Sequence, residues 1–285
     1  MPRYLNSTHQ KYWIFSREDL IKIKDSKNTE LCQYIVTTSG DQSLQKYVVT
    51  EDEEKAILNF LSKNLITACE HLHLHDKAVS TALTYFRRFY LYNSVCVYDP
   101  VQMMFTCMFL ACKTEEINVR DVDQFCQHFK ESDAKAILQL EYSLISGIKF
   151  HLYVFCPHKS LRALIIEIGD EAFVDKGKEI IQAKCKEVIE GMLMSEISFL
   201  ASPSEIAVTS LYVALEDSGE KDAIFGKVFE KLGKNYESFK EKVVCLAEEY
   251  KKFYDDSLRI EAMFRGALRK AGTLRHRLNK KKTVQ

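Results

Sequence analysis

Three groups of residues in this 285-residue sequence are spaced in ways that could do chemistry. His71, His73 and His75 alternate at what reads as a helix end. His71 and His75 have the i, i+4 spacing of helical metal ligands, but no carboxylate or thiol lies near enough in sequence to complete a set. Exposed positions in a fraying last turn are the simpler reading, and no metal is expected. The second group is nine cysteines: Cys32, Cys69, Cys96, Cys107, Cys112, Cys126, Cys156, Cys185 and Cys245. Their number is odd, their spacing scattered, and no C-x-x-C occurs, so reduced core thiols of an intracellular protein fit better than a disulfide framework or a cysteine zinc site. The third group is two charges. Lys113 follows an apolar run in phase with Thr106, Phe109 and Leu110. Glu141 lies inside an apolar stripe, with Ile137 and Leu138 before it and Leu144, Ile145 and Ile148 after it. A carboxylate there is costly unless paired. The spacing alone favours a Lys113–Glu141 ion pair at a domain edge, or two side chains reaching for water, over a clamp on a partner's backbone.

Signatures of catalysis are missing. No two glycines lie close enough for a phosphate-cradling loop, and neither H-E-x-x-H nor G-x-S-x-G occurs. No catalytic residue and no cofactor is expected. Lys and Arg number 40, as do Asp and Glu, so the net charge is zero and the balance argues against direct nucleic-acid binding. A 46% hydrophobic fraction is that of a folded globular chain. The opening Met1-Pro2-Arg3-Tyr4-Leu5-Asn6 has no apolar core of a secretion signal, and no run of about 18 apolar residues predicts a membrane span.

The elements that must position the charged pair are helical. Four prolines and ten glycines separate long segments with a period near 3.6, which predicts an all-α fold. Met103 to Cys112 is apolar but for one hydroxyl. A helix apolar on every side must be covered on every side, and this one is too short to span a bilayer. It is therefore the centre of a core, opened by Asp99-Pro100 and ended abruptly by Lys113-Thr114-Glu115-Glu116. Around it the pattern predicts a helix behind the Thr50/Glu53 capping box with Ile57, Leu61, Leu65, Ala68 and Leu72 in one stripe. Further helices are predicted from Asp76, between Asp121 and Phe129, and from Ala134 to Ile148. Before them, Ser16 caps a charged helix carrying Leu20, Ile23 and Leu31, followed by a looser stretch from Thr37 to Lys46.

After Cys156-Pro157 the pattern restarts, with helices striped by Leu161 to Ile168 and by Ile181 to Leu193. An apolar helix opened by Ser202-Pro203 follows, then two more around Ile224 to Leu232 and Phe239 to Tyr254. A shift of 103 residues sets Pro100 on Pro203, Thr106 on Thr209, Phe109 on Tyr212, Ala111 on Ala214, Phe86 on Ile189 and Phe89 on Met192. The chain thus reads as two five-helix repeats, residues 50–153 and 154–255, with an N-terminal helix and linker over 1–49. Residues 256–285 form a charged helix and a basic tail, and Arg275 to Lys282 read as a solvated end before nuclear targeting or nucleic-acid contact.

Two stretches, Tyr85-Phe86-Arg87-Arg88-Phe89-Tyr90 and Phe109-Leu110-Ala111-Cys112-Lys113-Thr114-Glu115-Glu116, resemble the heart of a cyclin box. The second is similar to the cyclin family's Leu-Ala-x-Lys-x-Glu-Glu pattern. Trp13 to Glu18, Phe150 to Val154 and Ser202 to Ala207 look like the branch of the family that serves CDK-activating kinases, and the likeness covers roughly residues 10 to 255. The resemblance implies two cyclin boxes and a regulatory, non-catalytic subunit of a cyclin-dependent kinase. It implies that Lys113 and Glu141 hydrogen-bond the backbone of a kinase helix while Ile145, Phe150 and Leu152 pack against it. It further implies a kinase catalytic subunit, a RING-finger assembly subunit and TFIIH as partners, phosphorylation of activation loops and of the RNA polymerase II C-terminal domain, and a nuclear location.

Cell-cycle members dock substrates through a Met-Arg-Ala-Ile-Leu start and a tryptophan; here stand Glu54-Lys55-Ala56-Ile57-Leu58 and Leu61, so that docking is not expected. The Trp13 helix is expected to pack on the box and shape kinase choice. Another transcriptional cyclin, a DNA-binding factor of the same fold and a helical scaffold stay open. The DNA-binding factor would call for a zinc ribbon and a basic face, and the scaffold leaves Lys113 and Glu141 unexplained.

Overall fold

The computed structural model describes residues 4–39, 42–119, 121–169, 177–216, 221–230 and 236–282, and among them there is no strand. In order, the α-helices are α1 (Thr8–Trp13), α2 (Arg17–Ser39), α3 (Glu51–His71), α4 (Asp76–Tyr92), α5 (Pro100–Thr114), α6 (Val122–Gln127) and α7 (Ala134–Gly147). Then come α8 (Pro157–Ile168), α9 (Lys178–Met194), the single turn α10 (Ile197–Leu200), α11 (Pro203–Ala214), α12 (Lys221–Glu230), α13 (Tyr236–Ile260) and α14 (Phe264–Lys282). The expected helix around Ile224 to Leu232 is α12; Leu232 lies outside the described residues. No described helix is long and apolar enough to cross a membrane.

The chain divides into two units. One holds Phe15–Val154 and the segment from Ser257; the other holds the segment up to Ile14 and Phe155–Asp256. In the first, α5 is the axis and packs on α3, α4 and α7. Every residue from Met103 to Cys112 is buried, Phe109 being the most exposed at 6%. Each large apolar side chain so covered contributes about 1.5–3 kcal/mol. The helix starts as its sequence dictates, with Asp99 Oδ1 accepting the Val101 and Gln102 amides at 2.9 and 3.3 Å and Pro100 in the first turn. All nine thiols are unpaired, five of them buried. Burial pushes the Cys112 thiol up to about 11 and Cys107 well above its ordinary value, so neither is a nucleophile at neutral pH.

Helices α3, α5 and α7 end alike. In each, the amide three residues past the helix end bonds a carbonyl five residues back: Leu74 to Cys69 (3.0 Å), Ile117 to Cys112 (2.9 Å) and Phe150 to Ile145 (2.9 Å). The residue just before that amide is left-handed: His73, Glu116 and Lys149 have φ of 52°, 56° and 57°. The histidine run is therefore a fixed turn rather than a frayed one, and His75 caps α4 by accepting the Ala78 amide on Nδ1 at 3.2 Å.

Helix α2 is fastened by Lys27, which is 2.5 Å from Glu54 and donates to the Tyr90 carbonyl at 3.2 Å, both charges almost wholly covered. Helix α14 lies on α3 and α2. It buries Ala267, Ala271, Leu274 and Leu278, stacks Phe264 on Phe60 with centroids 3.8 Å apart, and pairs Lys270 with Glu53 at 2.7 Å. The sequence reading ends this helix before Arg275 and leaves Arg275 to Lys282 solvated. The helix instead continues to Lys282, because Leu274 and Leu278 carry its apolar stripe onward. Arg275 turns inward to Asp99 at 2.8 Å.

In the second unit α11 takes the axial place, packed on α8 and α9. Its capping box, Ser202 with Glu205, is formed. Of the positions matched by the 103-residue shift, Thr106 and Thr209, Phe86 and Ile189, and Phe89 and Met192 are all 0% exposed, whereas Phe109 is buried and Tyr212 only half-buried. Where α9 meets α13, a Cβ on Gly191 would lie 2.5 Å from the Tyr250 ring. Helix propensity alone would make Gly191→Ala stabilising by about 1 kcal/mol, while forcing a methyl into a filled site costs about 1–3 kcal/mol. Tyr250 is buried, so the clash wins. Gly191→Ala should lower the melting temperature in a thermal unfolding scan; a rise would mean that the ring swings away freely.

Candidate functional site

Lys113 and Glu141 meet. Lys113 projects from the last turn of α5, where the helix dipole favours a cation, and Glu141 from the middle of α7; the two form an ion pair. This is the pairing that the spacing alone favours. Lys113 is 47% exposed and Glu141 18%, and the ammonium sits 5.2 Å from the Phe109 ring centroid. A pair this open to water is worth at most about 1 kcal/mol. It relieves the carboxylate of its cost without locking either side chain.

The stripe around Glu141 divides into two faces. Ile137, Leu144 and Ile148 are 0% exposed and belong to the core. Leu138, which the sequence reading groups with them, is 53% exposed, and Tyr142 is 74% exposed. Ile145 is half-buried beside them. The outer face continues past the helix end with Phe150 at 64% and Tyr153 at 48% exposure, and with half-buried Leu152. The structure thus brings Lys113, Glu141, Ile145, Phe150 and Leu152 to one edge of the first unit. Leu138, Tyr142 and Tyr153 join them unforeseen. Residues 138, 141, 142 and 145 share a face at helical spacing, which was the available signal.

Phe150 is held out deliberately. Its φ of 59° follows Lys149 at 57°, and each left-handed non-glycine residue costs about 1–2 kcal/mol. Helix α4 supplies the counterweight. The Tyr85 hydroxyl donates to the Leu152 carbonyl at 2.5 Å, and an Arg88 guanidinium nitrogen to the His151 carbonyl at 3.3 Å. The Lys149 ammonium lies 4.2 Å from the Tyr92 ring centroid. The last turn of α7 can lie this close to α4 because position 147 is glycine: a Cβ there would be 2.7 Å from the Phe89 ring. Burial raises the Tyr85 hydroxyl to about 12, so it keeps the proton it donates. The Glu115 carboxylate turns inward, accepts from Thr81 at 2.8 Å and pairs with Lys77, tying the end of α5 to the start of α4.

Among the described residues no group of three or more His, Cys, Asp or Glu could hold a metal ion. The site offers a shallow apolar strip with one cation and one carboxylate at its centre. That suits recognition of a helix or extended segment.

Residues 28–153 match the family Cyclin, N-terminal domain. Cyclin mcs2 of Schizosaccharomyces pombe is 30% identical over 223 residues, 74% of this chain and 69% of that one. This chain belongs to the cyclin family. Cyclin-H of Xenopus laevis is 29% identical over 225 residues (76% of this cyclin, 69% of that one), and putative cyclin-H of Dictyostelium discoideum is 28% identical over 216 (73% and 74%). Among solved structures, a chain of the Chaetomium thermophilum CAK complex bound to ATP-gamma-S has a TM-score of 0.75 at 23% identity, covering 98% of this cyclin and 88% of that chain. A chain of the yeast TFIIK (Kin28/Ccl1/Tfb3) complex has a TM-score of 0.70 at 24% identity, covering 87% and 100%. At these identities the structural likeness is one of fold: all-α, with two cyclin-box repeats.

The cyclin's Tyr85 makes a direct test of how Phe150 is positioned. Tyr85→Phe should cost about 1 kcal/mol and speed amide hydrogen exchange at residues 151–153 while leaving the rest of α4 protected. Free tyrosine ionises at 10.0 and this one at about 12. Its contribution is therefore whole below pH 10 and is lost as pH rises towards 12. Alkaline unfolding of Tyr85→Phe should be correspondingly shallower, and identical curves would remove the assigned role.

Proposed function

We propose that this cyclin is the regulatory subunit of a CDK-activating kinase of the TFIIH type, a cyclin H-like protein without catalytic residues of its own. The observation that carries the reading is its 28–30% identity, over about three quarters of its length, to cyclins that include cyclin-H of two organisms. Its partners are a cyclin-dependent kinase catalytic subunit and a RING-finger assembly subunit, within TFIIH in the nucleus. The complex phosphorylates kinase activation loops and the C-terminal domain of RNA polymerase II.

The docking surface is the outer edge of the first box, taken as residues 50–153. A kinase helix lies along α5 and α7 with its apolar side on Ile145, Phe150 and Leu152. Lys113 donates to backbone carbonyls at the end of that helix, and Glu141 accepts from a backbone amide. The two charges give up an ion pair worth at most about 1 kcal/mol and gain charge-assisted bonds in a site that docking dries. The exposed Phe150 is already in place, so little ordering entropy is lost on binding. Docking turns the kinase helix inward, so that its glutamate reaches the ATP-binding lysine and the activation loop is released.

Co-purification with a CDK-activating-kinase catalytic subunit, scored for binding and kinase activity, tests this. Lys113→Ala, Glu141→Ala and Phe150→Ala should each weaken binding about tenfold or more, the loss expected when one partner of a desolvated contact is truncated. Phe150→Ala should leave the melting temperature nearly unchanged, since the ring is exposed. Deleting residues 1–46 should lower activation. Activation untouched by all three substitutions would reduce Lys113 and Glu141 to edge charges, and no binding by the wild type would overturn the function.

A further inference from the structure

The basic side chains of α14 that the structure describes fall into two sets. Lys270 is taken by Glu53, Arg275 by Asp99, and Arg277 lies over the Tyr47 ring at 4.4 Å. These face the protein. Arg265, Arg269, His276 and Lys280 lie along the opposite side and are exposed, and none makes a side-chain hydrogen bond or ion pair among the described residues. From residue 262 to 285 there are eight Lys and Arg and no Asp or Glu, which leaves 32 Lys and Arg against 40 Asp and Glu in the first 261. Helices α2 and α13 intersperse both signs. A helix face kept merely soluble gains from such mixing, whereas Arg265 and Arg269, four residues apart, repel each other at a cost of about 0.2–0.5 kcal/mol.

We propose that this outward face of α14 is a docking surface for an acidic polypeptide segment, a run of Asp, Glu or phosphorylated side chains in extended form. From Arg265 to Lys280 the stripe is about 22 Å long at 1.5 Å per residue. Side chains on one side of an extended strand recur about every 6.6 Å, close to the ~6 Å between helix positions four apart. About seven residues of such a segment span the stripe.

The surroundings favour a narrow polypeptide over nucleic acid. The Lys270–Glu53 bond sets α14 beside the acidic first turn of α3, where Glu51 and Asp52 are exposed, and Glu261 stands before the stripe. A duplex carries phosphates on both sides of a groove about 12 Å wide and would bring some of them against these carboxylates. A single acidic strand confined to one helix face would not. The proposal does not depend on the kinase partner.

The 285-residue chain tests it by fluorescence anisotropy with two probes, a labelled peptide of about eight glutamates and a duplex of about 20 base pairs, at ~50 and ~200 mM salt. The combined variant Arg265→Gln, Arg269→Gln, Lys280→Gln should bind the peptide at least about tenfold more weakly, with no loss of melting temperature. The control Lys22→Gln, Lys240→Gln, Lys252→Gln removes equal charge from exposed positions on other helices and should change peptide affinity by less than about twofold if the contact is local. Equal losses in both variants would reduce the effect to net charge and overturn the proposal. So would no peptide binding by the wild type, or a duplex bound more tightly than the peptide through the same three residues.

Discussion

A helix without a polar side can exist in water only if other parts of the chain cover it all round, and α5 imposes that demand on the first unit. From Met103 to Cys112 it has nothing to offer solvent. Helices α3, α4 and α7 must therefore close around it, and α11 repeats the arrangement with α8 and α9 in the second unit. The constraint also decides where α5 can end. Polar residues are admissible only where the cover stops, so Lys113 falls at the edge of the bundle beside whatever α7 presents there. The pairing with Glu141 follows from core burial as much as from the charges themselves.

Once that edge exists, its energetics suit reversible recognition. The ion pair at its centre is weak enough to exchange for other hydrogen bonds, and the aromatic ring beside it is rigid. Rigidity comes from outside the site: Tyr85 and Arg88 of α4, themselves buried, bond the carbonyls of Leu152 and His151 and hold two left-handed residues against their preference. A loop of the same sequence without these bonds would relax, and Phe150 would have to be ordered anew at each encounter.

Much of this was legible in the sequence, and what was not has a common cause. Periodicity identified α5 as central, and capping residues marked the starts of α2, α3, α5 and α11. Lys113 and Glu141 stood out because charges in apolar stripes require an explanation. The same periodicity does not say which apolar face of α7 is covered: it puts Leu138 with Ile137, although only the latter is buried. Nor could it foresee that Arg275 turns inward, because its partner Asp99 lies 176 residues away. Pattern reports what a helix can bury. What does bury it is set by contacts distant in sequence, and those govern edges and surfaces more than cores.

The interleaving of the two units has a consequence for how the chain is made. Residues 15–154 leave the ribosome early, but the helix that stacks on Phe60 and engages Glu53 and Asp99 belongs to the segment from Ser257. The first unit therefore waits, incomplete, through the synthesis of about a hundred intervening residues. At the usual ~5–20 residues per second this is an interval of roughly 5–20 seconds. Throughout it the flank of α3 lacks its cover, and a nascent chain in that state is a natural client for a chaperone.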